Sequence, residues 1–192
     1  RNEQSAAFMA ATYGRLTGRA GVALSTLGPG ATNLLTGISY AQLGGFPLVC
    51  ITGQKPIKRS KQGKFQQVPI VEIVKPITKM SRRIDSADKI PVLVQRAFLH
   101  SESERPGSVL LEFPEDIARE DASSAPITRA SSLVPAPNKT AIREAIKLIN
   151  KSSAPILIIG SDAKRWNIEK EIATFIDQTR ITFATTQLGK GI

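Results

Sequence analysis

The run from Gly21 to Gln54, GVALSTLGPGATNLLTGISYAQLGGFPLVCITGQ, constrains this chain more than any other stretch. Two short apolar runs, Val22–Leu24 and Leu48–Ile51, bracket a Gly-Pro-Gly turn and a segment of helical character. Strand, tight loop, helix and strand in that order make one βαβ unit of a parallel sheet. The loop Leu27-Gly28-Pro29-Gly30 falls where the strand ends and the helix begins, the edge at which open α/β sheets bind ligands. One helix earlier the chain opens Arg1-Asn2-Glu3-Gln4, which puts a carboxylate at the matching place. An acid and a glycine loop on one sheet edge read as a site, or half of one.

Composition narrows the classes. With 192 residues, 41% of them hydrophobic, the chain supports one or two domains with a substantial core. No apolar run approaches the ~20 residues of a membrane span, so no membrane partner is expected. The single cysteine, Cys50, lies inside an apolar strand and reads as a small buried hydrophobe, which suits a reducing cytoplasm. A net charge of +10 invites a nucleic-acid reading. The densest cluster, Lys55 to Lys64, holds five basic residues with one aromatic, Phe65, beside it, and aromatics are only 5% of the chain. That is too few for stacking platforms. A solvated basic face, or one matched to an acidic partner surface, fits better, and no nucleic acid is expected.

Periodicity and punctuation extend the alternation. Gln4 to Leu16, rich in alanine, is expected to be a helix that packs closely and ends at Gly18 in a left-handed cap. Further helices are expected over 31–42, 68–74, 89–101, 138–150 and 166–178. Further strands are expected over 77–84, with Lys79, Arg82 and Arg83 outward, and over 108–113, 156–159 and 181–184. His100 reads as a surface residue at a helix C-terminus. The polar, basic segment 53–67 has no clean period and reads as a functional or mobile loop. The expected organisation is a first domain over 1–119, a linker over 120–137 rich in Ser, Pro, Ala and Thr, and the start of a second α/β domain over 138–192. A two-stranded parallel sheet cannot bury both faces. The sequence therefore reads as part of a longer enzyme, short at both ends.

Several motifs in series carry a resemblance: Arg1-Asn2-Glu3-Gln4, Tyr13-Gly14-Arg15, Thr17-Gly18, Gly28-Pro29-Gly30-Ala31-Thr32-Asn33 and Ile51-Thr52-Gly53-Gln54. Lys64-Phe65-Gln66-Gln67, Pro76-Ile77-Thr78-Lys79, Arg105-Pro106-Gly107 and Phe113-Pro114-Glu115-Asp116 follow in order, then Thr185-Thr186-Gln187-Leu188-Gly189-Lys190-Gly191. This series resembles the pyrimidine-binding and central domains of thiamine-diphosphate enzymes, most of all the large, catalytic subunit of acetolactate synthases. No single motif is specific; the ordered series is.

The resemblance implies a flavodoxin-like pyrimidine-binding domain, a parallel sheet flanked by helices, followed by the beginning of a Rossmann-like central domain. It implies a carboligase that decarboxylates pyruvate and joins the hydroxyethyl carbanion on thiamine diphosphate to a second 2-keto acid. Glu3 would be the activating acid beside the pyrimidine ring, with Gly28, Pro29, Gly30, Asn33 and Gln66 as cofactor contacts. Pro56, Lys64, Phe65 and Gln66 would line the substrate channel, Phe65 and Gln66 reaching across a subunit interface. Some members hold FAD in the central domain and others do not; Arg105 stands where it could face a flavin. Mg²⁺ and the diphosphate would be held by a domain absent from this chain, so the fragment alone is expected to be inactive. The implied assembly is a homodimer or homotetramer, with room for a regulatory subunit. Asn2 departs from the family, many of whose members carry histidine there. Pyruvate oxidase and sulfoacetaldehyde acetyltransferase share most of these motifs, while Glu3 argues against a glyoxylate carboligase. A non-catalytic binding module of the same fold is the alternative outside enzymology.

Overall fold

The computed structural model describes residues 2–58, 63–128 and 136–191. Arg1, Ile192, four residues of the basic cluster and residues 129–135 of the expected linker lie outside the described residues. Contacts divide the chain into two units, Arg1–Ser132 and Leu133–Ile192.

The first unit is built on strands β1 (Gly21–Ser25), β2 (Leu48–Gln54), β3 (Met80–Arg83) and β4 (Ser108–Pro114). They form one parallel sheet in the order β1-β2-β4-β3. Its helices are α1 (Glu3–Thr17), α2 (Pro29–Asn33), α3 (Leu35–Gly44), α4 (Ile70–Val74), α5 (Ile90–Glu102) and α6 (Glu115–Ala118). The fold class is thus α/β with a parallel sheet flanked by helices. Gly18 closes α1 in the left-handed conformation, as its position in the sequence required.

Register and alternation sort the side chains. Ser25 pairs with Thr52, Thr52 with Glu112 and Glu112 with Arg83, so these four form one cross-strand row on a single face near the C-terminal edge. The opposite face carries Val49, Val109 and Leu111, all buried in one cluster with Ala97 of α5. On that face of β1, Val22 and Leu24 remain 50% and 70% exposed. Cys50 is fully buried, and burial pushes its thiol up to about 12, which fits a small core hydrophobe.

The first face meets α1 and α3 at backbone distance. A Cβ on Gly21 would lie 2.1 Å from the Ala10 carbonyl oxygen. One on Gly37 would lie 2.3 Å from the Ala7 Cβ, and one on Gly14 2.1 Å from the Pro47 carbonyl oxygen. The small residues of α1 (Ala7, Ala10, Ala11 and Gly14) are all buried there.

Three local expectations are corrected. The helix expected over 31–42 begins at Pro29 and breaks at Leu34, whose N–H bonds the Ala31 oxygen at 3.2 Å in a tighter turn. The strand expected over 77–84 is shorter: Pro76 lies in a 3₁₀ turn, Lys75–Ile77, and extension begins at Met80. Of the three cations expected outward there, Arg82 is exposed, but Lys79 is half-buried with its ammonium donating to the Ser103 oxygen at 2.7 Å. Arg83 is exposed as expected, and it also pairs with buried Glu112.

The second unit holds α7 (Lys139–Lys151), β5 (Ile156–Ile159), α8 (Ser161–Arg165), α9 (Glu169–Thr179) and β6 (Thr182–Thr185). The two strands are parallel, Ile156 opposite Thr182. Asn138 caps α7, its side-chain oxygen accepting from the N–H groups of Thr140 and Ala141. The helix expected over 166–178 begins only at Glu169, as α9, after Asn167 takes a left-handed φ of 51°, and the short α8 before it was not expected. Two strands leave apolar surface uncovered: Ile158 is 71% exposed.

Gly37→Ala should therefore destabilise the first unit by about 1–3 kcal/mol, since the new methyl meets Ala7 in a packed core. Urea unfolding, with Cys50 alkylation reporting exposure of the core, measures it. The double change Gly37→Ala with Ala7→Gly should recover part of the loss.

Candidate active site

α1 runs antiparallel to the strand that follows it, so its first turn lies at the C-terminal edge of the sheet. Asn2 caps that turn, its Oδ1 accepting from the Gln4 N–H at 2.9 Å. Asn2, which stands where many of the enzymes this chain resembles carry histidine, thus has a local structural role. Glu3 is the first helical residue and lies among orphan N–H groups, where a carboxylate is favoured.

The glycine turn arrives at the same place from the end of β1. Asn33, the last residue of α2, donates from Nδ2 to Glu3 Oε2 at 3.1 Å. A Cβ on Gly30 would stand 2.6 Å from the Thr26 methyl, so the turn is tightly packed there, and 3.5 Å from Glu3 Oε1, within ordinary contact of the carboxylate. Gly28 has φ +60°, and a Cβ there would lie 2.6 Å from the Gln66 carbonyl oxygen. Both the conformation and the space demand glycine at position 28. The contact also seats the 63–69 loop on the turn.

The structure therefore brings Glu3, Gly28, Gly30, Asn33 and the Gln66 backbone together, with Pro29 exposed between the two glycines. Gln66 itself takes a left-handed φ of 61°. Phe65 is 77% exposed, with the Lys55 ammonium 5.9 Å from its ring centroid, and Lys64 is exposed beside it. Pro56 is half-buried where the same loop leaves β2. Arg105 is not part of this group. It precedes β4 at the opposite edge of the sheet, and its Nη2 donates to the Leu43 carbonyl oxygen at the end of α3.

The Asn33 amide, and then the helical N–H of Glu3 itself, hold the Glu3 carboxyl below the usual carboxylate range. The group is ionised at neutral pH and presents a hydrogen-bond acceptor at the sheet edge. A cyclic amidine nitrogen carrying a proton is a natural complement to it. Because its pKa is depressed on folding, its contribution to stability is present above the unfolded value and lost as pH falls through the folded one.

Sequence reading missed the polar network beneath this edge. Glu112 is 0% exposed; its Oε1 accepts from Gln54 Nε2 at 2.7 Å, and its Oε2 accepts from Arg83 Nε. Gln54 Nε2 also donates to the Val68 oxygen at 3.3 Å, which ties the incoming loop to the strand end. The Thr52 hydroxyl, in the same row, is buried with no partner among the described residues. The signal was a lone carboxylate in the apolar run Val109-Leu110-Leu111-Glu112-Phe113, since a charge in a central strand must be paired.

A parallel sheet with an acid and a glycine turn at its edge is the arrangement that the resemblance to thiamine-diphosphate enzymes implies. Models of the thiamine pyrophosphate enzyme N-terminal TPP-binding domain and central domain match residues 1–73 and 142–192 respectively, and the chain belongs to this family. Within it, the chain is similar to acetolactate synthases along its whole length. It is 38% identical to acetolactate synthase 2, chloroplastic, of Zea mays and 36% to acetolactate synthase 3, chloroplastic, of Brassica napus, over 197 aligned residues in each case. It is 35% identical to the chloroplastic acetolactate synthase of Arabidopsis thaliana. All of this chain is covered in these comparisons, but it spans only about three tenths of the length of the relatives. No helix among the described residues is long and apolar enough to cross a membrane.

Asn33→Ala should raise the pKa of Glu3 toward the ordinary range, read by NMR titration of the side-chain carboxyl carbon. Gly28→Ala should displace the 63–69 loop, seen as faster amide exchange there with the sheet still protected.

Proposed function

We propose that the protein of which this chain forms part is an acetolactate-synthase-type carboligase, joining a two-carbon unit from pyruvate to a second 2-keto acid. One observation carries the reading. A carboxylate kept ionised by Asn33 stands at a glycine turn with no Cβ at either approach point, at the ligand-binding edge of a parallel sheet. The similarity to acetolactate synthases along the whole chain supports the same reaction class.

Thiamine diphosphate, when bound, supplies the electron sink for decarboxylation and carbon–carbon bond formation. The chain's own residues would bind and orient it. Gly28, Pro29 and Gly30 leave room for an aromatic ring to lie against backbone. Glu3 would share a proton with the ring nitrogen beside it, and Asn33 would hold the carboxylate in place for that exchange. Gln66, seated on Gly28, would close the same space, and Pro56, Lys64 and Phe65 on its loop would border the path of the keto acid. The exposure of Phe65 leaves it available to a neighbouring subunit, in keeping with a homodimer or homotetramer whose site is completed by another domain. Mg²⁺ would be held by that other domain. Arg105 lies outside this space, its Nη2 donating to the Leu43 carbonyl oxygen.

In the full-length protein, Glu3→Gln should leave the fold intact and lower turnover by about 10²–10⁴-fold, because proton transfer in cofactor activation is removed. Hydrogen–deuterium exchange at C2 of the bound thiamine should slow in parallel. Unchanged exchange and turnover would overturn the assignment of Glu3 and favour a non-catalytic role for this domain.

A further inference from the structure

Under the 63–69 loop, on the side away from β1, lies a second cavity of about 320 Å³. Its lining includes Gln54, Lys55, Ile57, Lys64, Val68 and Arg83. It opens at the C-terminal ends of β2 and β3, and neither Glu3 nor the glycine turn lines it. Three of the lining side chains are cationic and none is anionic.

Arg83 is the built element of this cavity. Its Nε is taken by Glu112, a carboxylate with no solvent exposure that is fixed from the other side by Gln54. Gln54 is spent as well: its Nε2 donates to Glu112 and Val68, and its Oε1 accepts the Lys55 N–H at 2.9 Å. The guanidinium is therefore anchored by one edge while its side chain remains 45% exposed. Its remaining N–H groups have no acceptor among the described residues. An anchored guanidinium loses little freedom on accepting a planar anion, and its outer edge matches a carboxylate.

The neighbouring acids are already engaged. Asp116 accepts from the N–H groups of Ile57 and Lys58, and Glu120 pairs with the Lys58 ammonium. Lys55 is steered by the Gly63 oxygen at 2.7 Å and by Phe65, which keeps its charge beside the cavity. Ile57, Val68 and Pro69 supply an apolar wall. A lining that combines cations with apolar side chains suits a carboxylate with a short hydrocarbon tail better than a bare inorganic anion.

We propose that this cavity is a binding site for a small organic monocarboxylate, held by Arg83 on its Glu112–Gln54 brace with Lys64 at the mouth. Lys64 is shared with the channel described above, but the site does not need turnover or cofactor. Its occupant would bear directly on the 63–69 loop, and through Gln66 on the glycine turn.

The test is calorimetric titration of the full-length protein with butyrate, with its neutral isostere butyramide and with inorganic phosphate. Butyrate should bind saturably, and butyramide and phosphate more weakly by roughly tenfold or more, the scale of one lost charge-assisted contact. The double change Arg83→Leu with Glu112→Leu, which leaves no orphan carboxylate, should weaken butyrate by about tenfold. Should the double variant fail to fold, Arg83→Lys and Lys64→Gln serve instead; each keeps Glu112 paired and should weaken butyrate several-fold. Glu3→Gln should leave butyrate binding unchanged, which separates this site from the carboligase reading. Absence of saturable butyrate binding, equal binding of butyramide, tighter binding of phosphate, or affinities unmoved by the Arg83 and Lys64 changes would each overturn the proposal.

Discussion

The backbone-to-backbone contact of α1 with β1 and α3 is the constraint on which the first unit depends. Ala7, Ala10 and Gly14 on one side meet Gly37, Gly21 and Pro47 on the other at distances no larger side chain would permit. Close packing of this kind fixes a helix in translation as well as in angle, because neither partner can slide without a clash. α1 is held along its length, and its first turn is delivered to one place at the sheet edge. Glu3 then needs no long side-chain reach to meet Asn33 and the space beside Gly30. The catalytic proposal rests on that mechanical link between a stripe of small residues and the carboxylate at its end.

The same edge shows how the fold manages polarity. Ser25, Thr52, Glu112 and Arg83 share one register row across all four strands, above an apolar interior. A buried carboxylate is tolerated in this row because Arg83 and Gln54 satisfy both oxygens. The row does two jobs: it ends the core, and it anchors the loop that follows β2 through the Gln54–Val68 bond. Since that loop in turn packs on Gly28, the network beneath the edge and the turn above it form a continuous chain of contacts.

Much of this was legible in the residues. The βαβ order, the left-handed cap at Gly18, the strand at Ser108 and the nearness of Glu3 to the glycine turn follow from local period and punctuation, which act over a few residues. Boundaries were misread where a tertiary contact or a single backbone angle decided them. Leu34 breaks what looked like one helix, Asn167 delays the start of α9, and Pro76 delays β3. The pairing of Arg83 with Glu112 was not foreseen, because alternation within one short strand cannot reveal a buried acid on the next.

The sequence by itself determined the α/β class, the position of the acid and of the glycine turn along the chain, and the family to which the domain belongs. These depend on residue type and spacing, which are properties of the linear chain. The tertiary structure alone decided that Asn33 donates to Glu3, that Gln66 closes over Gly28, and that Glu112 draws Arg83 and Gln54 into one network. Those contacts join residues 30, 38, 29 and 58 positions apart. Only strand order and register set such distances, and a parallel sheet fixes both through crossovers whose packing no local pattern specifies.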